Sequence, residues 1–291
     1  MSSQIRLLMV LIIILTLNAC ATQQTGSRSS VVNYLYPDKT VPENSTGIPH
    51  LTLPLRMGIA FVPASSARRS STSIPWVEVH NNELTESHKL QILSNIAAHF
   101  TTQSFVEHIE IIPSAYLTPG GSFANLDQLK AMFNIDVIAL VSYDQVQFTD
   151  DSKLSLSYWT LVGAYLVAGQ KNDSNTLMDT AVYAIDSRKL LFRAPGTSQL
   201  KGRSTPVNLQ EELRQDSLQG FMQASNDMTA NLELQLEQFK QRLKQQPQDV
   251  QLSYQRGYSG GSIGIGALLL LLFIFSKRAF TSAAAVLRQS Q

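Results

Sequence analysis

Asp136-Val137-Ile138-Ala139-Leu140-Val141-Ser142-Tyr143-Asp144-Gln145-Val146-Gln147-Phe148 decides the fold. Its first half is continuously apolar, as a strand buried on both faces requires. Its second half alternates apolar and polar, as a strand does when one face leaves the core. Residues 136–148 are therefore the central strand of a sheet, and the neighbouring segments take their places around it.

Upstream, residues 55–62 form a short apolar run closed by Pro63, a first strand. Residues 64–73 are rich in Ser and Arg and form a loop. Leu84, Leu90, Ile92, Leu93, Ile96, Ala97 and Phe100 recur at helical spacing, which predicts an amphipathic helix over 85–102. Residues 106–112 are a second strand halted by Pro113. After the Pro119-Gly120-Gly121 break, Leu126, Leu129, Ala131 and Met132 mark a second helix over 123–133.

Downstream, Thr149-Asp150-Asp151-Ser152 carries turn residues, and alternation over 154–168 predicts another long strand. Lys171-Asn172-Asp173-Ser174 is a second turn signal, and residues 176–185 and 189–194 make a hairpin around Asp186-Ser187-Arg188. Asn208 and Glu211 fit a capping box that opens a long helix. Its apolar stripe runs through Leu218, Met222, Ser225, Met228 or Thr229, Leu232, Leu236, Phe239 and Leu243, and Pro247 stops it.

The expected order is strand-helix-strand-helix, a four-strand meander and a long C-terminal helix. That is an α/β (α+β) single domain with a mixed sheet. The order resembles small periplasmic lipoprotein domains of the TolB amino-terminal and curli-secretion type, a likeness of topology that carries no function.

The two ends carry targeting signals. Arg6 precedes an eleven-residue apolar run, 7–17, interrupted only by Thr16 and too short to span a bilayer. Leu17-Asn18-Ala19-Cys20 then resembles a bacterial lipobox: aliphatic at −3, small at −1, and a cysteine that becomes the lipidated first residue. The alternative is an incidental thiol in a cleaved leader. Ala21 in place of Asp directs such a lipoprotein onward to the outer membrane. Cys20 is the single cysteine, so no internal disulfide can form in an oxidising compartment.

At the other end, residues 263–275 are apolar, and 260–276 make seventeen residues, the low edge of a membrane span. Lys277 and Arg278 follow as a basic stop, which places the C-terminal end in the cytoplasm and the body outside. Gly260 and Gly261 stand at the outer edge of this span. Glycine weakens a helix by about 1 kcal/mol relative to alanine, and local unwinding is what an intramembrane protease needs to reach a scissile bond otherwise hidden in a helix. A permanent tail anchor that uses Gly260-x-x-x-Gly264 as a packing face remains the alternative.

The Gly-Gly-Ser, short apolar helix and basic stop resemble the GlyGly-CTERM sorting signal, which rhombosortase proteases process. Asn33-Tyr34-Leu35-Tyr36-Pro37, Leu55-Arg56-Met57-Gly58-Ile59-Ala60-Phe61-Val62-Pro63, Phe123-Ala124-Asn125-Leu126-Asp127-Gln128-Leu129, Val141-Ser142-Tyr143-Asp144-Gln145-Val146-Gln147-Phe148 and Leu191-Phe192-Arg193-Ala194-Pro195-Gly196-Thr197 resemble the rhombotarget lipoprotein family. The resemblance implies lipidation at Cys20 and cleavage near Gly260-Gly261. The thirteen residues 279–291 after the basic stop are a departure from the nearly terminal position of the family's signal.

The resulting division is a lipoprotein signal peptide (1–19), a flexible tether rich in Ser, Thr, Gln, Asn and Pro (20–53), the α/β core (54–246), a linker (247–259), the GlyGly-CTERM-like transmembrane segment (260–278) and a cytoplasmic tail (279–291). Within the tether, Tyr34-Leu35-Tyr36-Pro37 is a candidate for docking back onto the core.

No nucleophile elbow, phosphate-binding loop or metalloprotease motif occurs in the sequence. His80, His88, His99 and His108 lack acidic or cysteine partners at ligand spacing. Asp144 with Asp150 and Asp151 could suggest paired carboxylates, but the last two sit in a turn signal, their commonest structural use. Neither a catalytic residue, a metal site nor a cofactor is expected. Removal of residues 1–19 and 262–291 takes away Arg6, Lys277, Arg278 and Arg288. That leaves 19 of the 23 basic residues against 22 acidic ones, a net charge of −3 that argues against nucleic acid.

The leading expectation is a non-enzymatic interaction module in the envelope of a Gram-negative bacterium. Its precursor sits in the inner membrane and its mature form at the outer membrane or cell surface. The expected partners are membrane lipid, the lipoprotein signal peptidase and a rhomboid-type protease. The alternatives are a permanent two-point anchor and an enzyme of unrecognised class.

Overall fold

The computed structural model describes residues 23–38, 47–64, 84–101, 103–151, 170–205, 207–246 and 248–255. The elements are β1 (Gln23–Arg28), α1 (Val31–Leu35), β2 (His50–Leu53), β3 (Leu55–Phe61), α2 (Glu86–Phe100), β4 (Val106–Ile111), α3 (Ser122–Phe133), β5 (Val137–Asp151), β6 (Gln170–Ala184), β7 (Lys189–Ser204), α4 (Leu209–Gln245) and β8 (Gln251–Tyr254).

The main sheet has the order β4-β3-β5-β6-β7. Strands β4, β3 and β5 are parallel, whereas β6 and β7 continue antiparallel, so the sheet is mixed. The step from β3 to β4 moves outward and the step from β4 to β5 returns across β3. Right-handed crossovers in opposite directions put their helices on opposite faces. Accordingly α2 joins α4 on one face, packing on Ile59, Phe61, Val137, Ala139, Val141 and Val182. Helices α1 and α3 cover the other, on Ala60, Val62, Ile138, Leu140, Ala181 and Tyr183. The alternate residues of the apolar half of β5 thus feed two separate cores, which is why that half shows no alternation.

Strand β5 is long enough for two partners on one edge. Residues 137–141 pair with β3, and residues 144–149 pair antiparallel with β1. Ser29 closes the junction: its N–H donates to Tyr143 O at 2.8 Å and its Oγ accepts from Tyr143 N at 3.0 Å. The second sheet, β2 with β8, is parallel and sits where β2 runs into β3, with Leu51 and Val250 in the α2–α4 core. The N–H of Gln255 donates to Leu53 O at 2.9 Å, which fixes the last described residue beside the start of β3.

Several expectations need correction. Residues 23–38 are not a tether: β1 is a sheet strand, and Tyr34 and Leu35 are 3% and 2% exposed, with Tyr34 Oη donating to Asn125 Oδ1 at 2.8 Å. Tyr34-Leu35-Tyr36 does dock on the core, and Tyr36 packs edge-on against Phe123. The turns expected at 149–152 and 171–174 are strand where described, since Thr149 pairs with Asn172 and Asp150 with Lys171. The strand expected over 154–168 lies outside the described residues, so the described meander has three strands, β5, β6 and β7. Strand β7 does not stop at Ala194 but continues to Ser204, because an edge strand tolerates Pro195. Helix α4 begins after Asn208 as expected, yet without the capping box. Asn208 makes no side-chain cap and its Oδ1 accepts from Thr205 Oγ1 at 2.6 Å, while Glu211 binds Arg214 and Gln215.

Candidate functional site: an apolar cavity under the last helix

Helix α4 has 37 residues, about 55 Å at 1.5 Å per residue, and lies over β7, β6 and part of β5. Its first half is sealed by polar groups. Gln145 and Gln147 point from β5 towards the helix, each under 4% exposed. Gln145 Nε2 donates to Thr176 Oγ1 at 2.7 Å and to the Ser217 carbonyl at 3.0 Å, and Ser217 Oγ donates back to Gln145 Oε1 at 2.5 Å. Gln147 Nε2 donates to Ser174 Oγ at 2.7 Å and to the Leu213 carbonyl at 2.8 Å. Two glycines bring the backbones together. A Cβ on Gly196 would stand 2.2 Å from the Ala224 carbonyl oxygen, and one on Gly220 would stand 2.6 Å from Thr176 Oγ1.

Beyond Leu232 the seal ends. Opposite the lower half of the sheet lies a cavity of about 530 Å³. Ile59 and Val137 contribute from the sheet, Ala97 and Phe100 from α2, and Leu236 and Phe239 from α4. Leu252 and Tyr254 of β8 line its outer side and are 39% and 62% exposed, which places the mouth there. Lys240 and Lys244 stand one turn apart on the α4 side of the same cavity. Lys240 Nζ lies 4.8 Å from the centre of the Phe105 ring and 3.4 Å from Glu237 Oε2. A dry enclosed void of 530 Å³ would cost on the order of 13 kcal/mol at about 24 cal/mol per Å³, comparable with the whole stability of a domain. Only an open mouth or an apolar occupant makes such a gap tolerable. Its volume and its apolar lining with few polar groups are those of a small-molecule site.

The residues singled out in the sequence for processing, Cys20, Gly260, Gly261, Lys277 and Arg278, lie outside the described residues, as does His80. Among the described residues no helix is long and apolar enough to cross a membrane, and the segment 260–278 is not among them. The remaining histidines stand apart. His88 Nδ1 lies 2.9 Å from the Thr85 Oγ1 that caps α2, His99 Nε2 lies 2.6 Å from Glu233 Oε1 between α2 and α4, and His108 is on β4. No group of three or more His, Cys, Asp or Glu residues able to hold a metal occurs among the described residues. Asp150 sits on β5 and not in a turn, and Asp144, on the same strand, faces Arg28 at 3.6 Å.

Four of the described carboxylates have shifted protonation: burial raises Asp179, and bonds from Arg214 and Gln215 lower Glu211. Burial raises Asp216 above the usual range, with Glu212 adding to the effect. Burial also acts to raise Glu86, but the Ser114 hydroxyl and N–H and the Lys89 ammonium together outweigh it and hold its carboxyl low. None of the four lines the cavity. Sequence reasoning placed Leu236, Phe239 and Leu243 on the apolar stripe of α4, but nothing in that stripe distinguishes a packed half from a hollow one.

No protein-family model matches the chain, and no curated protein matches it.

Proposed function

We propose that the chain is an envelope lipoprotein, lipidated at Cys20 and cleaved near Gly260-Gly261 by a rhomboid-type protease, whose body is a non-enzymatic binding module. The observation that carries the reading is the pair of terminal signals, the lipobox at one end and the Gly-Gly, short apolar run and basic stop at the other. The placement of the body between them supports it. Strand β1 starts at Gln23, three residues after Cys20, and the last described residue, Gln255, precedes Gly260 by five.

These two exits are far apart. Gln23 lies opposite Thr149 at one end of β5, whereas Gln255 lies beside Leu53, next to the start of β3 and the Val137 end of β5. Twelve residues of β5 separate Val137 from Thr149, about 40 Å at about 3.4 Å per residue. In the precursor the body is held at both ends of this axis. Cleavage frees the cavity end and leaves the body attached close to the lipid at β1. The lining of apolar side chains and two lysines suits recognition of a ligand.

Intact-mass measurement of the protein purified from membranes of a host with both processing enzymes tests the proposal. Acyl mass on Cys20 and loss of everything beyond Gly261 is the expected result. Retention of Lys277 and Arg278 overturns the cleavage and favours the permanent two-point anchor, for which Gly260-x-x-x-Gly264 supplies a packing face.

A further inference from the structure

We infer that the cavity under the second half of α4 binds a single-chain anionic amphiphile, with the acyl chain inside and the acidic head on Lys240 and Lys244. The size fits. At about 30 Å³ for each water-sized group in a liquid, 530 Å³ holds on the order of 18 such groups, the length of a long acyl chain. The chemistry fits as well. Ile59, Val137, Ala97, Phe100, Leu236 and Phe239 give walls without hydrogen-bonding groups, whereas the α4 side of the cavity is cationic. Lys240 is held in place by the Phe105 ring and only partly offset by Glu237, and Lys244 makes no ion pair with any described residue.

The position of the mouth favours a membrane-derived ligand. Tyr254 lines it, and the apolar segment starts at Ile263, nine residues on and within about 30 Å of extended chain. This part of the argument rests on the reading of 260–278 as a membrane segment, whereas the cavity and its lysines do not. The protein's own anchor is not the occupant. Cys20 precedes by three residues Gln23, which pairs with Thr149 at the far end of β5. Three residues of chain and one acyl chain together reach about 25 Å, short of the roughly 40 Å between the ends of the strand.

Photolabelling of the full-length protein in phosphatidylcholine vesicles, with a fatty acid carrying a diazirine near its chain end, tests this. Label is expected on peptides containing Leu236, Phe239 and Leu252, and excess oleate should suppress it at least tenfold more effectively than oleyl alcohol. Lys240→Glu with Lys244→Glu should bring the two competitors to equality. Leu236→Trp, which fills the cavity, should remove the label from those peptides. Lysophosphatidylglycerol as a third competitor separates a phosphate head from a carboxylate, and suppression by either acid supports the inference.

Label confined to peptides of residues 263–275 overturns it, as does equal competition by acid and alcohol in the unaltered protein. If Leu236→Trp does not fold, the charge-reversed variant, altered at half-buried and exposed positions, still decides. A labelled cavity, together with retention of Lys277 and Arg278 in the protein from a host with both processing enzymes, would sink the processing reading and leave this one standing.

Discussion

The two halves of α4 lie on the same sheet face and are held there by different physics. The first half is close-packed and polar. Gln145, Gln147, Thr176 and Ser174 are buried, the two glutamine amides donate at 2.7–3.0 Å, and Gly196 and Gly220 let helix and strands touch. The second half is apolar and hollow, with Leu236, Phe239 and Leu243 only partly buried around an open cavity. The hydrophobic effect is non-directional, so an apolar face tolerates a gap that a ligand can fill. A polar face does not, because each lost hydrogen bond leaves a buried group unsatisfied. The polar half fixes where the helix lies, and the apolar half is free to recognise something.

The largest effect expected of a single change is at Gly196. Its Cβ would meet backbone atoms of Ala224 and Met228 at 2.2 and 2.4 Å, and backbone cannot move aside as a side-chain tip can. Gly196→Val should lose upwards of about 3 kcal/mol in denaturant unfolding, and a smaller loss than 1 kcal/mol would break the claim that the first half is sealed by contact. Gln145→Ala should follow, at about 2–3 kcal/mol, because it strips Ser217 Oγ and Thr176 Oγ1 of a buried partner. In the hollow half, Leu243→Ala should lose less than the 2–5 kcal/mol typical of a buried leucine, as its side chain already borders a void. Equal losses at Gln145 and Leu243 would erase the distinction between the halves.

The smallest effect is electrostatic. The folded-state pKa of Asp216 is raised by burial and by Glu212. Its ionised form is therefore disfavoured in the fold, and the stability tied to the protonated form is present below the unfolded pKa and lost as pH rises through the folded one. Asp216→Asn should raise the thermal midpoint at neutral pH, and the gain should vanish below about pH 4. A gain that persists into acid would assign the effect to packing at Gly202 instead.

Much of this architecture is legible in the residues. Strands β3, β4 and β5 and helices α2, α3 and α4 follow from apolar periodicity, and their order gives the mixed sheet. The losses share one cause: the polar half of the molecule is built from residues whose habit is to turn. Asn172, Ser174 and Thr176 alternate inward beneath α4 and are almost fully buried, yet Lys171-Asn172-Asp173-Ser174 carries the composition of a loop. Gln23–Arg28 has no apolar side chain and still forms β1, since its stability lies in the backbone ladder with β5. Pro195-Gly196 resembles a strand end, but there it marks an edge strand and the point where the helix touches it. The cavity was not legible at all, because an apolar stripe says which face is inward and not how closely its partner approaches.

Amide hydrogen exchange along α4 tests the central claim most directly, since exchange reports the local opening free energy of each turn. Protection close to the global value over residues 213–232, markedly lower protection over 236–245, and a rise confined to 236–245 on addition of oleate are the expected results. Uniform protection along the helix, or a rise spread equally over both halves, would contradict the division into a sealed half and a binding half.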